Sequence, residues 1–175
     1  EGISKKWLAD IDYQMYRDNV DWDSVKDLSK GGHTIKSLNS KLFLPVRDQE
    51  IVDRVFDQWV EMDQPRTITF CQNKAHARIL CEIFNFSGLP SRFLFGEHSE
   101  KERAVAFADF TEGKFSNLIS VDLLNEGVDL PEVEIVVFAR ITHSRRVFIQ
   151  QLGRGLRVTE RKNSVTVLDF VADIR

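Results

Sequence analysis

No stretch of this 175-residue chain reaches the roughly 20 consecutive apolar residues needed to span a bilayer, and its first residues, Glu1-Gly2-Ile3-Ser4-Lys5-Lys6-Trp7, lack the apolar core of a signal peptide. A soluble, cytoplasmic protein is expected. Cysteine is equally scarce. Cys71 and Cys81 are too few for a disulfide framework, and their spacing to His76 fits no zinc site, so two buried free thiols and no metal are expected. Excess positive charge is missing as well. A formal net charge of −3 excludes a protein that holds nucleic acid by bulk charge, so any such binding has to come from a local patch. There is no internal repeat and no low-complexity tract. The first residues show no recognisable beginning of a fold, and the chain is expected to be part of a longer polypeptide.

What is present is apolar content for one sizeable core, with 42% hydrophobic residues. Residues 1–62 read as an N-terminal helical or irregular appendage or interlobe connection, and residues 63–175 as one α/β domain. From Lys5 to Arg47 the chain is polar and acid-rich, with Trp7, Tyr13, Tyr16 and Trp22 expected to pack against the domain and a loop at Ser29-Lys30-Gly31-Gly32-His33. Ile51, Val52, Val55, Phe56, Trp59 and Val60 then recur at helical spacing, with Asp48 as the expected N-cap and Pro65 beyond the end. From Thr67 onward the period alternates. Strands are predicted at Thr67–Cys71, Arg92–Phe95, Asn117–Val121, Ile135–Phe138 and Ser164–Phe170. A helix is predicted from Asn73 to Ser87, closed by Gly88-Leu89-Pro90, and a second opens on the capping box Ser99-Glu100-Lys101-Glu102 and runs toward Gly113. This alternation implies a mostly parallel sheet covered on both faces.

In such a sheet, ligands meet the loops at the carboxyl ends of the strands. The segment Phe148 to Arg157, if helical, sets Gln150, Arg154 and Arg157 on one face and Phe148, Leu152 and Leu156 on the other. Guanidinium groups so placed can bind phosphate oxygens bidentately and offset charge developing in phosphoryl transfer. Gly153 and Gly155 would each weaken an ordinary helix by about 1 kcal/mol, which points to a close approach of the backbone. The alternative is an amphipathic surface helix with solvated arginines. From Ser120 to Pro131 the chain leaves a strand and reaches a glycine flanked by acids: Asp129 can accept from a ribose hydroxyl and Ser120 can donate to a phosphate, although a strand followed by a Gly-Asp turn is also common. Arg140, Arg145, Arg146, Arg154, Arg157, Arg161 and Lys162 make a local basic patch, either a phosphate-tracking surface or a solvated face. His76 is expected to be a helix-surface or core histidine. Asp109, Glu112 and Lys114 have the residue types of an acidic nuclease site but sit at a helix end without the strand context, and are read as structural.

Together these segments resemble the superfamily two helicases. Gln150-Gln151-Leu152-Gly153-Arg154-Gly155-Leu156-Arg157 matches their motif VI, Gln-x-x-Gly-Arg-x-x-Arg. Ser120 to Pro131 looks like motif V, and Thr67 to Asn73 is similar to motif IV. Gly96, Arg103, Phe110 and Gly113-Lys114 follow the intervening pattern in order. The resemblance covers roughly Thr67 to Phe170, and its motif V wording is nearest to the bacterial branch of type III restriction-enzyme motor subunits and DNA repair helicases. It implies a RecA-like three-layer αβα domain acting as the C-terminal motor lobe of an ATP-dependent helicase or translocase, with DNA as the expected polymer. Arg154 and Arg157 would be the arginine fingers and Gln150 would help set them. Gly127 and Asp129 would face the ATP, and Gln72, Asn73, Gly96 and Ser120 would lie along the nucleic-acid backbone. Many relatives carry Thr where Ser120 stands, which keeps the hydroxyl. The P-loop Gly-x-x-x-x-Gly-Lys-[Ser/Thr] is absent, so ATP would be shared with an N-terminal RecA-like lobe of the same polypeptide. That lobe would also carry the Mg2+, and this chain alone is expected not to hydrolyse ATP. Two alternatives stand beside this reading: the translocase subunit of a restriction endonuclease, with nuclease or methyltransferase subunits as partners, and a non-catalytic module that binds nucleic acid or protein.

Overall fold

A computed structural model describes residues 10–17, 45–71, 73–121, 133–139 and 164–171. Six strands lie in one sheet: β1 (Asp10–Arg17), β2 (Arg66–Phe70), β3 (Ser91–Phe95), β4 (Asn117–Val121), β5 (Val133–Phe138) and β6 (Ser164–Val171). Their spatial order is β1-β6-β5-β2-β4-β3 and every neighbouring pair is parallel. The strands expected from short apolar runs are present within one or two residues of their expected ends. A parallel strand needs a crossover to reach its neighbour, and three helices are described between strands: α1 (Pro45–Glu61), α2 (Lys74–Phe86) and α3 (Glu100–Thr111).

The central strands carry apolar side chains on both faces because both faces are covered. In β5, Ile135 and Val137 join the α1 and α2 side of the core, while Val133, Val136 and Phe138 join the α3 side. From α1 come Ile51, Val52, Val55 and Trp59, and from α2 Ala77, Leu80, Cys81 and Phe84. On the other face Phe110 of α3 meets Phe115, Leu118 and Leu94. The arrangement is the expected three-layer αβα sandwich.

Local chemistry sets the helix ends. Asn73 caps α2, its side-chain oxygen accepting from the His76 N–H, and Ser99 caps α3 in a reciprocal capping box with Glu102. Both helices stop in the same way. Gly88 and Gly113 take φ +92 and +80, and the next residue donates back into the last turn, Leu89 N–H to Phe84 O and Lys114 N–H to Asp109 O, each at 2.9 Å. A side chain at either glycine would be strained, which is why glycine ends each helix.

Two expectations change. Asp48 does not cap α1, which begins three residues earlier at Pro45; proline suits a first turn because its missing N–H has no helical partner there. Asp48 instead lies buried within that turn, 3.1 Å from Nε2 of His76, which ties the start of α1 to the start of α2. His76 is thus a core histidine. The acid-rich N-terminal segment also contains a strand that was not expected. β1 pairs with β6 over its whole length, its Tyr13 hydroxyl donates to Asp169, and its Tyr16 ring stacks on Phe170 at 5.2 Å. Residues on both sides of position 62 therefore share one sheet and one core. Cys71 and Cys81 are buried thiols that form no disulfide, as expected.

Candidate nucleic-acid interface

Because all six strands run the same way, their carboxyl ends lie along one edge. Asn73 follows β2 across two intervening positions, Gly96 follows β3 directly, and Ser120 is the penultimate residue of β4. β4 lies between the other two strands, and Phe70, Ser120 and Leu94 are matched across β2, β4 and β3. Three of the residues expected to meet nucleic acid are thereby brought to neighbouring strand ends. Gln72, Gly127, Asp129, Gln150, Arg154 and Arg157, and the basic patch, lie outside the described residues.

The glycines separate by cause. Gly88 and Gly113 are required by positive φ, whereas Gly96 has no positive φ and nothing within 4 Å of where a Cβ would stand. The described fold gives no steric reason for glycine at that position. Its bare backbone opens outward, the condition for close approach of a second molecule.

Ser120 is fully buried, and its Oγ has no hydrogen-bond partner among the described residues. The other buried polar side chains of β2, β3 and β4 are paired. Thr67 donates to Pro65 O, Thr69 donates to Asn117 Oδ1 at 2.9 Å, Asn117 Nδ2 donates to Ser91 Oγ at 3.1 Å, and Ser91 Oγ donates to Leu89 O at 2.9 Å. Leaving a buried hydroxyl unmet costs about 1–3 kcal/mol. The unmet group stands at the carboxyl edge. Asn73 contributes in another way: its Oδ1 is committed to the cap of α2 at 2.9 Å, so its Nδ2 amide is the part left to donate outward.

Sequence reasoning missed several side chains here. Lys74, in the first turn of α2, pairs with Glu97 in the turn after β3, and this contact holds the Glu97 carboxyl below its usual range. The exposed guanidinium of Arg78 lies over the rings of Phe93 and Phe95, at 5.7 and 5.9 Å. His98 reaches back to the backbone of Phe95 at 3.0 Å. The available signal was the Lys74/Arg78 spacing of four on α2, which sets two cations on one helix face. The edge thus offers donors and cations suited to a phosphodiester backbone. By contrast, Asp109 is bonded first by Lys114 at 2.6 Å and then by Arg92 at 2.7 Å, which lowers its carboxyl and neutralises the cluster at the end of α3. Among the described residues no three His, Cys, Asp or Glu side chains group to hold a metal, and no helix is long and apolar enough to cross a membrane.

Known proteins share this architecture. The chain is 31% identical over 159 residues to irc3 of Schizosaccharomyces pombe, whose name describes a mitochondrial ATP-dependent helicase; the match takes in 90% of this chain and 26% of irc3. The chain therefore spans about a quarter of that relative. Among solved structures, the helicase domain of Pyrococcus furiosus Hef aligns with a TM-score of 0.59 at 23% identity, over 74% of this chain and 26% of that one. The C-terminal domain of Saccharomyces cerevisiae Dbp5 aligns with a TM-score of 0.56 at 25% identity, over 72% of this chain and 71% of that one. The helicase conserved C-terminal domain matches residues 48–159, well over half of the chain. The chain belongs to the helicase conserved C-terminal domain family, and its fold is the RecA-like lobe of those proteins.

Proposed function

We propose that this chain is the C-terminal motor lobe of an ATP-dependent helicase or translocase that moves on DNA, and that it works by closing against an N-terminal RecA-like lobe of the same polypeptide. ATP sits between the lobes. Gly127 and Asp129 face it, Gln150 sets Arg154 and Arg157, and the two arginines approach the γ-phosphate, where their charge stabilises the transferring phosphoryl group. The P-loop and Mg2+ belong to the other lobe, so this chain alone turns over no ATP. Gln72, Asn73, Gly96 and Ser120 line the nucleic-acid backbone, and each closure shifts their grip along it. The observation that carries the track is Gly96, a glycine with no conformational demand and open space above it, between a capped helix start and an unmet buried hydroxyl. The motif V wording, Ser120 to Pro131, favours the branch of restriction-enzyme motor subunits and DNA repair helicases, in which nuclease or methyltransferase subunits are partners. A cytoplasmic site of action goes with that branch.

The test is ATP turnover by the intact polypeptide with single-stranded DNA, duplex DNA and RNA, for the parent and for Arg154→Ala. Stimulation by DNA, and a loss of roughly a thousandfold or more in Arg154→Ala, is expected from an arginine finger. Stimulated turnover that survives the substitution would remove Arg154 from the mechanism. A parent that binds nucleic acid and never hydrolyses ATP would leave a binding module.

A further inference from the structure

Among the described residues four arginines lie over aromatic rings, and three of these are also held by an oxygen. Arg54 lies over Tyr16 and pairs with Glu50, Arg66 lies over Phe110 and donates to Thr111 O, and Arg92 lies over Phe115 and pairs with Asp109. Arg78 is the exception. Its exposed guanidinium is seated on Phe93 and Phe95, and among the described residues no carboxylate or carbonyl meets it. Two acids are placed to compete for it. Glu97 is taken by Lys74, and Glu82, one turn further along α2, forms no ion pair with Arg78. The seat itself is firm, because Phe93 and Phe95 stack on each other at 5.0 Å and Phe95 is buried. Its place in the fold is specific as well. β3 is the outer strand of the sheet, Phe95 ends it, and Gly96 follows. Lys74 and Arg78 share one face of α2, and the Lys74–Glu97 pair ties that face to the turn that carries Gly96.

We propose that Arg78 binds one phosphate of the nucleic-acid strand and so extends the track beyond Gly96, past the outer strand of the sheet. This rests on the reading of the carboxyl edge as the nucleic-acid track. A guanidinium presents a planar fork that matches two phosphate oxygens, and here its donors are not spent on the protein. Because the two rings already restrict the side chain, less freedom is lost when a phosphate arrives. Lys74, one turn closer to the edge, has its ammonium committed to Glu97. Arg78 lies outside the segments that match helicase motifs, so its role depends on its unmet donors and its seat. An arginine that merely covered two phenylalanines would leave nucleic-acid binding untouched.

The test is fluorescence anisotropy of fluorescein-labelled single-stranded DNA and RNA oligonucleotides of one sequence with the intact polypeptide, at salt from about 50 to about 200 mM. The proteins are wild type, Arg78→Gln, Arg78→Lys and Gly96→Val. Gln and Lys form helix about as well as Arg, and the site is exposed, so the urea midpoint should not move. Arg78→Gln should weaken binding roughly tenfold, the worth of a hydrogen bond to a charged group, and by the same factor with both polymers. Its plot of log affinity against log salt should be shallower by about 0.7, the counterion share of one single-strand phosphate. Arg78→Lys keeps the charge and loses the fork, so it should bind less tightly than wild type with the slope retained. Wild-type affinity in Arg78→Gln, a loss of affinity with the slope unchanged, or a loss confined to one polymer, which marks a sugar contact, overturns the phosphate role. Gly96→Val separates the two ideas, because the open space around Gly96 accommodates the side chain within the fold. If Gly96→Val weakens binding and Arg78→Gln does not, only the role of Arg78 fails; if both bind as wild type, or wild type binds neither polymer, the track reading falls and the role of Arg78 falls with it.

Discussion

Trp59 offers the most direct check on whether α1 belongs to the lobe. Its side chain is 4% exposed, its ring lies 5.8 Å from that of Phe56, and its indole N–H donates to Pro65 O at 3.0 Å, across the turn leading into β2. Trp59→Ala removes a large buried ring and should cost about 3–5 kcal/mol through lost transfer energy and the cavity left behind. Trp59→Phe keeps most of the apolar contact and loses the donor, for about 1 kcal/mol. Pro65 O retains the Thr67 hydroxyl as a second donor, so no buried carbonyl is stranded. Against a total stability of roughly 5–15 kcal/mol for a domain of this size, the alanine variant should be close to unfolding. Its neighbour Val60, 49% exposed, serves as the control, and Val60→Ala should shift stability by less than about 0.5 kcal/mol. Urea denaturation followed by far-UV circular dichroism reads all three, and the ranking should appear as midpoint shifts at constant slope. A loss below about 1 kcal/mol in Trp59→Ala would refute the argument and return residues 45–61 to the status of an appendage.

Two further outcomes follow from the titratable groups. Asp109 is held below the usual carboxylate range by Lys114 first and Arg92 second. A lowered folded value stabilises the fold above the unfolded value, and that contribution is lost as pH falls through the folded one. In a carbon-13 carboxyl titration Asp109 should titrate below a free aspartate, and Asp109→Asn should flatten the acid limb of the stability curve; a midpoint at or above the free value refutes the pairing. The Cys81 thiol is pushed up by burial, against the opposing Asn85 hydrogen bond, and Cys71 is fully buried. Thiolate is the reactive form, so neither cysteine should react rapidly with Ellman's reagent in the native chain, and both should react once it is unfolded. Fast native labelling of either would contradict the described core.

Most of the architecture could be read locally. Five of the six strands are short apolar runs, and the caps at Asn73 and Ser99 and the glycines closing α2 and α3 are signals contained within a few residues. β1 was not readable, because Asp10-Ile11-Asp12-Tyr13-Gln14-Met15-Tyr16-Arg17 mixes charge and amide with its aromatics. It becomes a strand by pairing with β6, more than 150 positions away. Asp48 was misread for a similar reason: an acid ahead of an apolar stripe resembles a cap, and its partner His76 is 28 positions away. At the edge, Asn73, Gly96 and Ser120 were named through motif resemblance, whereas Lys74–Glu97, Arg78 over Phe93, and the His98 closure were not.

The sequence by itself determined five of the six strands, where α2 and α3 stop, and which family of motifs the chain carries. Those outcomes follow from side-chain periodicity and from backbone preferences that act over a turn or two. Only the tertiary structure decided the strand order β1-β6-β5-β2-β4-β3. That order places β4 between β2 and β3, surrounds the Ser120 hydroxyl with groups that leave it unmet, and sets Gly96 beside the start of α2. Pairing between distant strands depends on shared burial and backbone hydrogen bonds, and no local pattern encodes which neighbour a strand will find.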